Sequence, residues 1–314
     1  MVARSVFTSQ LLALVSLLHR STFAQTAGTF DFLTYNVAGL PAILNDNGVS
    51  GDKETNSGTI GSKLAEGAYD VVHMQEVWSD LRALDSRIDE QKDFNYHAYI
   101  YATDNHPYRT ATSGGVPFGS GLNTVANYDW STFNRITWNS CNLNEGDCLT
   151  PKGFTFMRLE LADGATVDLY NLHADAGSDT GDSDARQAGI EQILAYVDAN
   201  SAGQAVIIAG DTNDRYTNSD RSIDLLTNAG FTDSWVELIK GGTYPTAGAT
   251  ANPCDVPAAS NACEVVDKVL YRSGNSISLS ATAWSYASDF FVQENGDPLS
   301  DHNPVLVQFA WSTA

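Results

Sequence analysis

Near the C-terminus an acid and a histidine stand side by side in Pro298-Leu299-Ser300-Asp301-His302-Asn303-Pro304, just before the apolar run Val305 to Phe309. A carboxylate beside an imidazole can set its tautomer and its pKa for proton transfer near neutral pH. Other chemically capable side chains end, or lie within, short apolar runs of strand type upstream. They are Asn36 in FLTYNV, Glu76 in YDVVHMQE, His173 in DLYNLHAD, Asp211 and Asn213 in AVIIAGDTND, and Asp267 in VVDKVLYR. Six strand ends thus carry groups able to hold a metal ion or a phosphate.

Glu76 follows Val71-Val72-His73-Met74 and offers the hard oxygen that divalent ions such as magnesium prefer, with waters and substrate oxygens completing the shell. Asn36 is expected nearby as a further ligand or a phosphate contact. His73, one residue from Met74 in the same run, reads as structural. Asp211 and Asn213 are two apart and share one face of an extended segment. Asp211 is suited to orient a water or assist a leaving group, and Asn213 to donate to a non-bridging oxygen. His173 would give a second donor, positive when protonated, to a pentacovalent phosphorus. Ser300, Asp301 and His302 do not form a serine-hydrolase triad, because adjacent residues cannot align nucleophile, base and orienter.

The order Asn…Glu…His…Asp-x-Asn…Asp…Ser-Asp-His resembles the endonuclease/exonuclease/phosphatase family, which shares the deoxyribonuclease-I-like fold. GDTND and SDHNPV are the most specific pieces, and the resemblance spans residues 30 to 310. It implies that His302 is the general base, that Asp267 fixes its tautomer, and that Asp301 lies close to the metal or orients the loop. Mg2+ is the implied cofactor, with Mn2+ or another divalent ion as substitute. The stretch Ala126-Asn127-Tyr128-Asp129 departs from the serine-arginine-tyrosine-proline pattern usual in the family. The segment Asp147-Cys148-Leu149-Thr150-Pro151-Lys152-Gly153 is similar to an Asp-x-Leu-x-x-Lys-Gly motif of the sphingomyelinase and phospholipase C branch, as is Asn36-Val37-Ala38-Gly39-Leu40-Pro41. The resemblance therefore implies a phosphodiesterase acting on a phospholipid or sphingolipid headgroup. A secreted deoxyribonuclease-like endonuclease and an inositol-phosphate phosphatase are the alternatives, and a non-catalytic binding module is possible on the same scaffold.

The elements that must hold these groups are legible in part. GFTFMRLEL, a turn at Asp163-Gly164 and ATVDLYNLHA read as a hairpin. In DARQAGIEQILAYVDAN, Ile190, Ile193, Leu194 and Val197 make one buried helical stripe, with Ser183 or Asp184 as N-cap. A shorter helix over RSIDLLTNAG ends at Gly230. The acidic run Asp179 to Asp184 lacks EF-hand spacing and reads as a solvated loop capping the helix, while Tyr96, Tyr99 and Tyr101 read as strand packing. The expected fold is α+β, a four-layer αββα sandwich of two mainly antiparallel sheets.

Residues 1–24 read as a secretory signal peptide, with Arg4 ahead of the apolar stretch Leu11 to Leu18 and small residues up to Ala24. That stretch is too short for a span of about 20 apolar residues. Residues 25–314 then form a single domain, expected to be extracellular and monomeric. The chain has 17 Lys and Arg against 38 Asp and Glu, a net charge of −21. Removing Arg4 and Arg20 with the leader leaves 15 against 38, or −23, which works against a polyanionic partner. Four cysteines in a secreted chain favour two disulfides. Cys141 with Cys148, and Cys254 with Cys263, each flank a short polar loop, so local pairing is expected. The window ATAWSYASDFFVQENGDPL reads as ordinary strand core or, if Trp284, Phe290 and Phe291 tip an exposed hairpin, as a contact for a bilayer interface.

Overall fold

A computed structural model describes residues 25–40, 47–79, 95–115, 119–143, 147–148 and 150–314. The leader expected over 1–24, and the motif residues Pro41 and Leu149, lie outside them. Two six-stranded sheets pack face to face. The first contains β1 (Ala27–Asn36), β2 (Val71–Gln75), β3 (Tyr108–Arg109), β4 (Asn123–Ala126), β11 (Ile277–Tyr286) and β12 (Val305–Thr313), in the order β11-β12-β1-β2-β4-β3. The second contains β5 (Trp130–Thr137), β6 (Gly153–Ala162), β7 (Ala165–His173), β8 (Ala205–Asp211), β9 (Thr232–Asp233) and β10 (Asp267–Arg272), in the order β5-β6-β7-β8-β10-β9. Each sheet has one parallel pair, β1 with β2 and β7 with β8; the other pairings are antiparallel. The expected sandwich is thus observed, with its outer layers supplied by helices.

Alternation along β1 shows how the layers form. Phe30 and Phe32 face the second sheet, while Leu33 and Tyr35 face outward beneath α1 (Lys53–Gly67) and α2 (Tyr96–Thr103), against Ile60, Leu64 and Ile100. On the far side α3 (Thr180–Asn200) lays Ile190, Ile193 and Val197 on the second sheet. The short α4 (Asp224–Asn228) and α5 (Ser234–Leu238) add Leu226, Trp235 and Val236 to the same core.

The space between the sheets is not uniformly apolar. Beyond Phe32 the inward positions become Thr34, Asn36, His73 and Gln75, all fully buried. Gln75 Nε2 donates to Thr34 Oγ1 at 3.1 Å and across the sandwich to Asn171 Oδ1 at 2.7 Å. Asn171 Nδ2 in turn donates to the carbonyls of Met74 and Asn123. One end of the sandwich is therefore built to hold polar groups, joined by hydrogen bonds that cross between the sheets.

Several expectations are corrected. The helix after His173 starts at Thr180 rather than near Ser183, because Asp182 turns back to accept the Asp179 N–H at 2.8 Å and draws the acidic run into the first turn. Asp182 is fully buried while Asp179, Thr180, Gly181 and Asp184 are exposed, so the run caps the helix as expected but as its first turn rather than as a loop. Tyr96, Tyr99 and Tyr101 lie in α2, capped by Asn95, not in a strand. Trp284 and Phe291 are not exposed: they are 7% and 2% accessible. A register shift between Ala281 and Ala283 reverses the alternation of β11 and turns Trp284 inward, behind Ile277, Leu279 and Ala281. Phe291 packs against Tyr35 with ring centroids 4.9 Å apart. Phe290 is half-buried, with Lys63 Nζ 4.7 Å above its ring.

The local hairpin and cysteine expectations are met. β6 and β7 pair across the Asp163-Gly164 turn, where Gly164 takes φ +78°. Disulfides join Cys141 to Cys148 and Cys254 to Cys263. Gly230, at φ +86°, follows α4 as expected.

Candidate active site

Strand direction gathers the candidate residues at the polar end. β1 ends at Asn36, β2 leads into Glu76, β7 ends at His173 and β8 ends at Asp211. β10 runs antiparallel to β8, so its first residue, Asp267, stands opposite Asp211. β12 runs antiparallel to β1, with Val305 opposite Thr34, which brings the preceding loop and His302 to the same corner. Ser300 ties that loop down. Its buried hydroxyl donates to the Asn36 carbonyl at 2.7 Å and accepts the His302 N–H at 3.1 Å, a structural use that leaves it no part as a nucleophile.

His302 Nδ1 lies 2.9 Å from Asp267 Oδ2, and its Nε2 lies 3.7 Å from Asp211 Oδ2. Burial would push this imidazole down, but the charges of Asp267 and Asp211 outweigh it and hold its pKa well above the usual value. Burial raises the Asp267 carboxyl while the histidine pulls it back. Burial would also raise Asp211, but His302, His173 and Lys152 outweigh it and lower it.

Asn36 bridges two of the acids. Its Nδ2 donates to Glu76 Oε1 at 3.1 Å and to Asp211 Oδ2 at 3.0 Å, while its Oδ1 accepts the Ala38 N–H at 3.0 Å. Only an amide can do this, since an acid in its place would face two carboxylates. Glu76 sits at φ +60°, 8% exposed, with Oε2 buried and unpartnered. Burial, only partly offset by the Asn36 bond, raises its pKa.

His173 Nε2 lies 3.5 Å from Asp211 Oδ2, and its Nδ1 has no partner. Burial pushes its pKa down to about 3, so at physiological pH the donor expected here is a neutral imidazole. Asn213, at φ +49°, donates its N–H to Asp211 Oδ1 at 2.9 Å and its side-chain amide to the Ala174 carbonyl at 3.1 Å. Asp301 is exposed and accepts from Asn47 at 3.4 Å; the structure does not place it in contact with Glu76 or Asn36. His73 is the expected structural residue, fully buried with Nδ1 2.9 Å from Thr124 Oγ1.

Lys152 had a place only as a motif letter in the sequence. The structure pairs it with Asp147 and places its charge within reach of Glu76, His173 and Asp211. Arg215, also missed, lines an open cleft of about 340 Å³ with Asn213, Asp267, Asp301 and His302. The GDTND segment could have flagged it, since Arg215 follows directly.

Two centres can be distinguished. Asp211, Asp267 and His302 offer ligand atoms within 4.8 Å of one another, but the short His302–Asp267 bond makes them a proton-handling unit. The unpartnered Glu76 Oε2 beside the Asn36 amide is a hard, buried oxygen, and it fits a magnesium-like ion.

Among known proteins, sphingomyelinases of Mycobacterium bovis and Mycobacterium tuberculosis are 35% identical over 291 residues, covering 90% of this chain and 53% of theirs. The chain thus spans about half the length of these curated relatives. Among solved structures, D. rerio TDP2 complexed with a single-strand DNA product superposes with a TM-score of 0.62 at 17% identity, covering 90% of this chain and 98% of that one. Sphingomyelinase C from Streptomyces griseocarneus gives 0.59 at 20%, covering 90% and 99%. Staphylococcus aureus beta toxin, a mutant form with bound magnesium ions, gives 0.57 at 15%, covering 89% and 99%. These likenesses concern the fold. Residues 86–255 match the model of endonuclease/exonuclease/phosphatase family 2, and the chain belongs to the endonuclease/exonuclease/phosphatase family.

Proposed function

We propose that the protein is a secreted, divalent-metal-dependent phosphodiesterase that releases the phosphorylated headgroup of sphingomyelin or a related phospholipid. The observation that carries the hydrolytic reading is the 2.9 Å bond between Asp267 and His302, set beside Asp211. Asp267 holds the proton on Nδ1, so Nε2 can take the proton of a water. Nε2 is 3.7 Å from Asp211 Oδ2, too far for a hydrogen bond, and is thereby kept for that water. Asp211 orients the same water, and its own position is fixed by the Asn36 and Asn213 donors. Glu76 would hold the metal, with Asn36 setting its carboxylate and Asp301 at the solvent side. Bound there, Mg2+ would supply Lewis-acid stabilisation of charge developing on the phosphoryl oxygens. Neutral His173 and Asn213 would hold the phosphoryl group by hydrogen bonds.

The lipid substrate is supported by the sphingomyelinase relatives and by charge. The net charge is −21, and the cleft beside His302 carries one basic side chain among the described residues, Arg215. One guanidinium suits a single phosphoryl group better than a polyanion track. The fold likeness to TDP2 in its DNA complex favours nuclease activity as the second reading. Two disulfides suit an oxidising compartment, in keeping with the expected leader.

The test offers sphingomyelin or phosphatidylcholine vesicles and plasmid DNA to one preparation at matched magnesium and ionic strength. Headgroup release is expected to exceed nicking. Rapid nicking without headgroup release would transfer the assignment to a nuclease.

A further inference from the structure

Arg215 stands apart from the other arginines. Among the described residues, Arg109, Arg158 and Arg221 pair with Asp104, Asp168 and Asp224, while Arg135, Arg186 and Arg272 donate to backbone carbonyls. The Arg215 guanidinium has no hydrogen bond or ion pair, and its Nε is buried without a partner. In a chain with 38 acids against 17 Lys and Arg, an unpaired guanidinium in a cleft is an arranged feature.

Its sequence neighbour Asp214 and the cleft residue Glu264 are already engaged. Asp214 is fully buried and accepts from Asn218 at 2.8 Å, Ser222 at 2.9 Å and the Ile223 N–H at 3.1 Å. Glu264 accepts from the Tyr216 N–H and from Thr217 Oγ1, and faces Lys268 Nζ at 3.7 Å. A buried donor with no partner is costly unless a ligand meets it. The residues sharing the cleft, His302, Asp267 and Asn213, say which ligand arrives there.

We propose that Arg215 is the clamp for the oxyanion of the phosphate ester, and equally for the phosphomonoester released from it. This rests on the reading of the cleft as a phosphodiesterase site. The planar guanidinium can meet two phosphoryl oxygens at once, which a lysine cannot reproduce. It thereby fixes the phosphorus relative to His302 Nε2 and makes the product a competitive inhibitor.

The test titrates the purified full chain, its Arg215→Gln variant and its Arg215→Lys variant with phosphocholine and with inorganic phosphate, in magnesium and in chelator. Charge-assisted hydrogen bonds of this type correspond to about 10- to 100-fold in affinity. Arg215→Gln should lose that much for both probes, because both share the oxyanion. Arg215→Lys keeps the charge and should lose about threefold to tenfold. Melting temperatures should be unchanged, since the side chain holds no protein partner, and vesicle hydrolysis should show a raised KM. Should Arg215→Gln fail to fold, the lysine variant carries the decision on the same binding readout. Affinity for both probes unaltered in the folded variants overturns the clamp. If sphingomyelin is not hydrolysed while phosphate affinity still depends on Arg215, the substrate reading falls and the clamp stands; hydrolysis with unchanged affinity does the reverse.

Discussion

Replacing Asp267 by Asn is the sharpest probe of the proton-handling unit, because it alters one charge at a carboxylate that is 1% exposed in its side chain and 2.9 Å from His302. A charge-assisted bond in a partly buried setting contributes about 1.5–3 kcal/mol. Losing the Asp267 charge and its hydrogen bond lowers the His302 pKa, because both hold it up. The sign is fixed by the geometry. Asp267 and Asp211 hold the imidazole above its usual value, and a base works only when unprotonated, so the rate of the native protein rises with pH through that pKa. In Asp267→Asn the acid limb should move to lower pH, while the plateau falls about 10- to 100-fold because the imidazolium formed on proton uptake is no longer stabilised. His302→Ala should fall by about 10² to 10⁴ and the double variant should stay close to it, since the two residues act as one unit. The assay is headgroup release, and hydrolysis of a soluble chromogenic diester, across the pH range at saturating magnesium. An acid limb that stays in place, or losses that simply multiply in the double variant, would refute the reasoning.

EDTA should abolish hydrolysis and magnesium or manganese should restore it, with Glu76→Gln needing about 10- to 100-fold more metal for half-maximal rate; full activity in chelator would rule out a metal-dependent reaction. Phe291→Ala should cost about 3–5 kcal/mol of stability by leaving a cavity against Tyr35, seen as a lower melting temperature. The ratio of vesicle to soluble-diester hydrolysis should remain that of the native chain, and a selective loss on vesicles would restore Phe291 as a lipid contact.

The site was legible where chemistry and strand endings coincide. Asn36, Glu76, His173 and Asp211 each close or follow a short apolar run, and parallel and antiparallel pairing bring such endings together without further instruction. The aromatic window was open to a core or an interface reading, because a register shift between Ala281 and Ala283 decides which side of β11 faces inward, and residue types do not announce a bulge. The sequence left the charge of His173 open, because its protonation state depends on burial created by residues far along the chain. Arg215 could be read as an arginine but not as an unpaired one. Being unpaired is a property of three-dimensional neighbours, as is the reach of the Lys152 charge into the site. The α3 start shows a milder form of the same limit: either end of an acidic run can cap a helix, and Asp182 turning back on Asp179 decides it.

The tie between Ser300 and the Asn36 carbonyl joins positions 264 apart in sequence, and the Asn36–Asp211 bond joins positions 175 apart. The bonds that bring the strand ends together are long-range. Closing such long loops makes assembly slow relative to helical folds of similar stability. A chain ending before Ser300 would lack both the histidine and β12, leaving β1 and β11 as open edges prone to foreign pairing. On the proposed activity, hydrolysis would be an all-or-none reporter of finished folding, and a preparation's specific activity would measure its fraction of fully folded molecules rather than an average over partly built ones.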